Sequence, residues 1–168
     1  MAEDLLSKQL VEKAREVVDA NRRAGRRIAV AESCTGGLVS AAITEVPGAS
    51  DVFEAGFVTY SNTAKMKRLM VAQDVLETFG SVSVATAWAM AQGALQKSEA
   101  DVAVAITGIA GPEGGSPAKP VGTVVFARAE RNADPGQIVA DQKLFDATDG
   151  RSGVRLQAAL CALELLMP

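Results

Sequence analysis

The chain has 168 residues, 48% of them hydrophobic and 22% charged, with a formal net charge of −3. That length suits one domain with a substantial core, and the mildly acidic balance argues against nucleic-acid or anionic-membrane binding. Histidine is absent and cysteine occurs only at Cys34 and Cys161. These counts exclude a Ser-His-Asp triad, Cys–His pairs, histidine metal sites and a disulfide framework.

Aromatic residues make up only 4% of the chain, so the core must be built from Ala, Val, Leu and Ile. Leu5, Leu6, Leu10, Val11, Ala14 and Val17 recur at helical spacing and predict a helix from Asp4 to Ala24, ended by Gly25. The basic cluster from Arg22 to Arg27 reads as the solvated end of that helix, where cations suit the dipole. Arg27 to Ala31 reads as a short buried strand, and Leu38 to Ile43 as a helix broken at Val46 to Ser50. Phe53 to Tyr60 is a second strand, running into a Ser61-Asn62 cap and a helix from Thr63 to Leu69. A short turn follows from Val75 to Phe79. Ser83 then caps a helix from Val84 to Lys97, whose expected buried side is Ala85, Trp88, Ala89, Ala91 and Leu95.

Asp101 to Ile106 is a central strand, and Thr107 to Ser116 is a loop with four glycines. Gly122 to Arg128 and Gln137 to Phe145 form two further strands, joined by a short link that suits an antiparallel hairpin. Arg151 to Met167 closes the chain as a helix, packing through Val154, Leu156, Ala159, Leu160, Ala162 and Leu165. No repeat or linker divides it, so residues 1–168 read as a single α/β domain. No apolar run is long enough to span a bilayer and no signal-peptide core is visible, so the expected setting is cytoplasmic and reducing.

The chain is organised around Ala31-Glu32-Ser33-Cys34-Thr35-Gly36-Gly37, a strand-to-helix turn. Open α/β sheets place ligands at such turns, and the free N–H groups of a starting helix suit an anion or a developing oxyanion. The alternative is a helix start merely capped by Ser33 or Thr35. Lys65 lies one helical turn after the second strand, so it points back toward the same sheet edge, with Tyr60 nearby. A poorly solvated lysine has a lowered pKa and can take a proton from a serine, while a tyrosine hydroxyl can relay it. Without histidine, Ser33 with Lys65 as base is the simplest nucleophile pair available. Lys67 and Arg68 read as a solvated face. Cys34 is the rival nucleophile, but its place beside Ser33 turns it away as a small apolar filler. The glycine loop offers backbone N–H groups for a phosphate or ribose, and Arg151 or Arg155 for a phosphate. No metal site is apparent, the only conceivable ligands being the carboxylates of Glu32, Asp51 and Glu54.

Three stretches, Ala31 to Gly37 (AESCTGG), Gly56 to Lys65 (GFVTYSNTAK) and Thr107 to Gly122 (TGIAGPEGGSPAKPVG), closely resemble the CinA C-terminal domain family. The resemblance runs from about Val30 to the last helix. It implies a three-layer α/β/α sandwich with a mixed, mostly parallel sheet of about five strands. The implied activity is deamidation of nicotinamide mononucleotide to nicotinic acid mononucleotide and ammonia, needing no cofactor. The family serine falls on Ser33, its lysine on Lys65, and its tyrosine on Tyr60. Substrate contacts would come from Thr35, Gly36, Gly37, Asn62, Thr107, Gly108, Ala110, Gly111, Gly114 and Gly115. The family's late arginine falls on Arg151 in a looser match. The large N-terminal domain of full-length members has no counterpart here, so a stand-alone amidohydrolase is expected, with room for a homodimer and with no nucleic-acid or membrane partner. The competing class is a nucleotide-binding or protein-interaction module without turnover.

Overall fold

Ile28–Glu32 (β1) is buried along its whole length, the pattern of a strand covered on both faces. The computed structural model describes residues 5–134 and 136–168. Around β1 lie β2 (Phe53–Val58), β3 (Val102–Gly108), β4 (Thr123–Glu130) and β5 (Ala140–Leu144), in the order β2-β1-β3-β4-β5. β1 pairs in parallel with β2 and β3, whereas β4 pairs antiparallel with β3 and β5. β1, β2, β3 and β5 therefore run one way and β4 alone runs against them.

Helices cover both faces: α1 (Lys8–Ala24), α2 (Leu38–Thr44), α3 (Asn62–Leu69), α4 (Gln73–Phe79), α5 (Val84–Gln96) and α6 (Gly150–Leu165). The period-two alternation of the strands sorts side chains by size. Ile28, Val30, Val104, Ile106, Val124 and Phe126 pack with α1, α2 and α6. Ala29, Ala31, Ala103, Ala105, Ala127 and Ala129 face α5 and the segments around α3 and α4. Large side chains thus fill one layer, and small ones let α5 lie close on the other. This is a three-layer α/β/α sandwich. No helix among the described residues is long and apolar enough to cross a membrane.

Several boundaries differ from those read in the sequence. The expected start of the first helix at Asp4 lies outside the described residues; α1 begins at Lys8, where Ser7 Oγ accepts from Leu10 N. The second strand stops at Val58, two residues before Tyr60, because the chain turns there to start α3 at Asn62 under the Ser61 cap. On α5 the buried side chains are Thr86, Ala87, Met90, Ala91, Ala94 and Leu95, while Ala85, Trp88 and Ala89 are only half-buried. An alanine-lined sheet leaves no depth for an indole between helix and strands, so Trp88 sits on the flank. On α6, Ala158 and Leu163 are buried instead of Leu156, Leu160 and Leu165, which pack at the margin.

The close approach of α5 has one sharp requirement. A Cβ at Gly93 would lie 2.0 Å from the carbonyl oxygen of Leu69, at the end of α3. Because that obstacle is backbone, Gly93→Ala should push α3 and α5 apart and destabilise the protein by about 1–3 kcal/mol. Urea denaturation reads this directly, and an unchanged midpoint would contradict the packing described.

Candidate active site

The carboxyl ends of β1, β2 and β3 reach one edge of the sheet together, because Glu32 registers with both Val58 and Ile106. Ser33 N continues the sheet by donating to Ile106 O at 2.9 Å, and Thr59 N donates to Glu32 O at 2.9 Å. Ser33 therefore leaves β1 between the ends of its two neighbours. Ligands gather at this kind of edge in open α/β sheets.

Lys65 enters from α3. Its side chain runs back under the end of β2 and is 1% exposed, while Lys67 and Arg68 on the same helix are exposed. The ammonium nitrogen donates to Ser33 Oγ at 3.0 Å, to Thr59 O at 2.9 Å and to Tyr60 O at 2.9 Å. All three partners are neutral, so none repays the full cost of burying a charge. Burial accordingly lowers the Lys65 pKa from 10.5 to about 8, with the nearby Cys34 acting in the opposite direction. As a neutral amine, Lys65 keeps two N–H donors for the two carbonyls and has one lone pair left for the Ser33 hydroxyl.

Cys34 is buried and packs in the apolar cluster on the α1, α2 and α6 side of the sheet, the filler role expected of it, while the residue also borders the cleft. Burial raises the Cys34 pKa to about 11, so the thiol stays protonated at neutral pH and is a weak nucleophile.

Glu32 explains the rest of the turn. Its buried carboxylate accepts from Thr35 Oγ1 at 2.7 Å, Val39 N at 2.9 Å, Ser40 N at 3.1 Å and Ser40 Oγ at 2.7 Å. The start of α2 is thus satisfied from inside the protein. The N–H of Gly36 goes to Ser33 O and that of Leu38 to Thr35 O. Thr35, Gly36 and Gly37, expected as substrate contacts, do not line the cleft. They form the turn behind it, where Gly36 and Gly37 hold positive φ.

The cleft has a volume of about 280 Å³. Its floor is Ser33, Cys34 and Lys65, and its far wall is the glycine loop with Thr107, Gly108, Ala110, Gly111 and Gly114. Tyr60 and Arg151 stand at the mouth. Arg151 donates to Gly111 O at 2.7 Å and to Tyr60 Oη at 2.8 Å, tying the loop to the end of β2. The Tyr60 phenol is therefore engaged with Arg151, and it is the Tyr60 backbone carbonyl that touches Lys65. That removes the basis for a phenol relay between Lys65 and Ser33. Asn62 is exposed at the start of α3 and Gly115 packs against Val121, both outside the cleft lining.

Sequence reasoning missed Ser81, Val82, Ile109 and Glu113, which also line the cleft. Ser81 and Val82 arrive through tertiary bonds that no local pattern announces: Thr107 Oγ1 donates to Ser81 O at 2.7 Å and Lys119 Nζ to Val82 O at 2.6 Å. The carboxylates considered for a metal are dispersed. Glu32 caps α2, Glu54 accepts from Arg27, and Asp51 lies 3.6 Å from Arg22. A larger cavity of about 610 Å³ lies at the opposite end of the sheet, lined by Trp88, Arg128, Arg131 and Val139. Its arginines are committed, Arg128 and Arg131 to main-chain carbonyls and Arg128 also to the Glu130 carboxylate.

Comparison with known proteins gives this geometry a context. Residues 10–168 match the model of the CinA C-terminal domain. A putative competence-damage inducible protein of Symbiobacterium thermophilum is 50% identical over 145 residues, covering 84% of this chain and 34% of the relative. The chain thus spans about a third of the length of the longer curated relatives it matches. The nicotinamide-nucleotide amidohydrolase PncC of Enterobacter agglomerans is 45% identical over 157 residues, covering 94% of this chain and 93% of the relative. The crystal structure of the competence/damage inducible protein CihA from Agrobacterium tumefaciens superposes with a TM-score of 0.91. It is 44% identical, covering 98% of this chain and 97% of that one.

The Lys65 environment sets a pH dependence. Only the neutral amine accepts the Ser33 proton, so Ser33 reactivity should rise with pH through about 8 and level off above it. Labelling rates with a fluorophosphonate probe measure this. A rate flat from pH 6 to 9, on the order of the range spanning that pKa, would show that Lys65 does not activate Ser33.

Proposed function

The chain belongs to the CinA C-terminal domain family, and on that premise we propose that it is an amidohydrolase of nicotinamide mononucleotide. The observation that carries this reading is the Lys65 amine, buried at the end of β2 and 3.0 Å from Ser33 Oγ. A lysine with a lowered pKa beside a serine hydroxyl is a nucleophile with its base, and a chain without histidine has no simpler one. The curated amidohydrolase relatives, similar along nearly their whole length, support the substrate.

Lys65 takes the Ser33 proton as Ser33 Oγ attacks the carboxamide carbon. The tetrahedral oxyanion is received by the N–H of Cys34, the residue after the nucleophile, which has no backbone acceptor within the protein. One such donor contributes about 3 kcal/mol to the transition state. The Lys65 ammonium, held by the Thr59 and Tyr60 carbonyls, then gives its proton to the departing nitrogen, and ammonia leaves. Water, deprotonated by the same amine, releases nicotinic acid mononucleotide from Ser33. The phosphate lies at the mouth, where Arg151 retains N–H donors beyond the two it gives to Gly111 and Tyr60. Loop N–H groups at Gly111 and Gly114 supplement it, since the loop's own backbone bonds use those of Ile109, Ser116 and Gly122. Neither metal nor organic cofactor enters this route, and the setting is the cytoplasm.

Three substitutions test the assignment through ammonia release from nicotinamide mononucleotide. Ser33→Ala and Lys65→Met should each lower kcat by at least about 10³-fold while nucleotide binding persists. Cys34→Ala should keep the rate within a few-fold and lose about 1–2 kcal/mol of stability through lost packing. An inactive Cys34→Ala beside an active Ser33→Ala would identify a thiol enzyme. Tight binding of the nucleotide by the unmodified protein without any ammonia release would identify a binding module.

A further inference from the structure

We infer that Arg155 is a positioning residue for the oxyanion donor, acting from behind the turn and not from within the cleft. The inference rests on the amidohydrolase reading above and deepens it. From position in the sequence, Arg155 resembles a phosphate ligand like Arg151, one helical turn before it on α6. The geometry gives the two arginines different tasks. Arg151 lines the cleft, whereas Arg155 is half-buried, does not line it, and spends its guanidinium on the backbone of the nucleophile turn.

The bonds are specific. Arg155 Nε donates to Cys34 O at 3.1 Å and Nη2 donates to Thr35 O at 3.0 Å. In a trans peptide the C=O and the following N–H point in opposite directions within one rigid plane. Holding the Thr35 carbonyl therefore also aims the Gly36 N–H, which donates to Ser33 O at 3.0 Å. That bond in turn fixes the plane of the peptide after Ser33, whose N–H belongs to Cys34. The second Arg155 bond, to Cys34 O, secures the far side of the same residue. A guanidinium thus fixes three consecutive peptide planes, and with them the direction of the Cys34 N–H, which makes no backbone hydrogen bond of its own.

Two features of the chain fit this role. Gly36, at φ 58, brings the backbone so close that a Cβ there would lie 3.4 Å from Arg155 Nη2. Glu32 grips the other side of the turn through Thr35 Oγ1 and the first N–H groups of α2. The turn is clamped between a carboxylate from β1 and a guanidinium from α6. A planar fork suits two neighbouring carbonyls, and an ammonium cannot reproduce it.

The test uses the full chain with Arg155→Met and Arg155→Lys, read by steady-state kinetics on nicotinamide mononucleotide and by binding of pyridine-3-boronic acid, which forms a tetrahedral adduct on a reactive serine. Arg155→Met should lower kcat by about 10²-fold with KM within a few-fold of the parent, as for a donor misplaced by a fraction of an ångström. Boronate affinity should fall in parallel, Arg155→Lys should lie between, and millimolar guanidinium should partly restore Arg155→Met. A rise in KM with kcat unchanged would make Arg155 a phosphate ligand and overturn the inference. Parent-like kcat and boronate affinity, with only a lower melting temperature, would reduce it to a structural brace and also overturn it. If the unmodified protein releases no ammonia, the amidohydrolase reading fails, and the boronate comparison still decides the role of Arg155. Failure of the unmodified protein to bind the boronate counts against the inference.

Discussion

The buried hydrogen bond between Lys65 and Ser33 is the constraint on which the rest of the site depends. Removing an ammonium from water costs several kcal/mol, and no carboxylate within the cleft floor offsets that cost. The protein contains it with three oxygens placed by three different structural devices. The Ser33 hydroxyl sits where β1 ends, and the Thr59 and Tyr60 carbonyls sit where β2 ends. The parallel pairing of β1 with β2 sets the distance between those ends. Ser61 Oγ, accepting from Ala64 N at 3.0 Å, starts α3 at the position that returns Lys65 to them. α3 then stops abruptly at Met70, the one described non-glycine residue at positive φ, at a cost of about 1 kcal/mol. A short helix with a firm start and a strained end holds Lys65 in place.

The same economy governs the turn that carries Ser33. A helix start left open would attract an anion, and a phosphate-bearing ligand would have two places to go. Glu32 closes that alternative by filling the first turn of α2 with a buried carboxylate. Positive character at the cleft is thereby concentrated at Arg151 and the glycine loop, on the side away from Ser33. The layers serve this arrangement too. The alanine face of the sheet brings α5 and the connector before it close enough for Ser81 and Val82 to wall the cleft.

Much of this is legible in the sequence because its signals are local. β1, the capped starts of α3 and α5, the central strand and the hairpin between β4 and β5 all follow from short patterns and turn residues. The pairing of Ser33 with Lys65 follows from a strand end and one helical turn, together with the absence of histidine. What the sequence does not disclose is which groups are already occupied. Thr35, Gly36 and Gly37 have the right chemistry for an anion, but Glu32 and Arg155 take up the turn that carries them. Tyr60 has a suitable hydroxyl, but Arg151, far along the chain, claims it. Arg151 and Arg155 look alike in the sequence, and only the packing of α6 against the turn separates a ligand-facing arginine from one that holds backbone. Periodicity alone puts Trp88 on the buried face of α5, and it carries no information about how small the opposing alanines are.

The central claim is that Ser33 forms a covalent bond to the substrate. The most direct measurement is acid quenching of the protein during turnover of nicotinamide mononucleotide, followed by peptide mass spectrometry with fragmentation across Ser33 and Cys34. The account predicts a nicotinoyl-nucleotide ester on Ser33, with loss of one ammonia relative to the substrate mass. The same acyl group found on Cys34, or ammonia release with no covalent species on either residue, would contradict it.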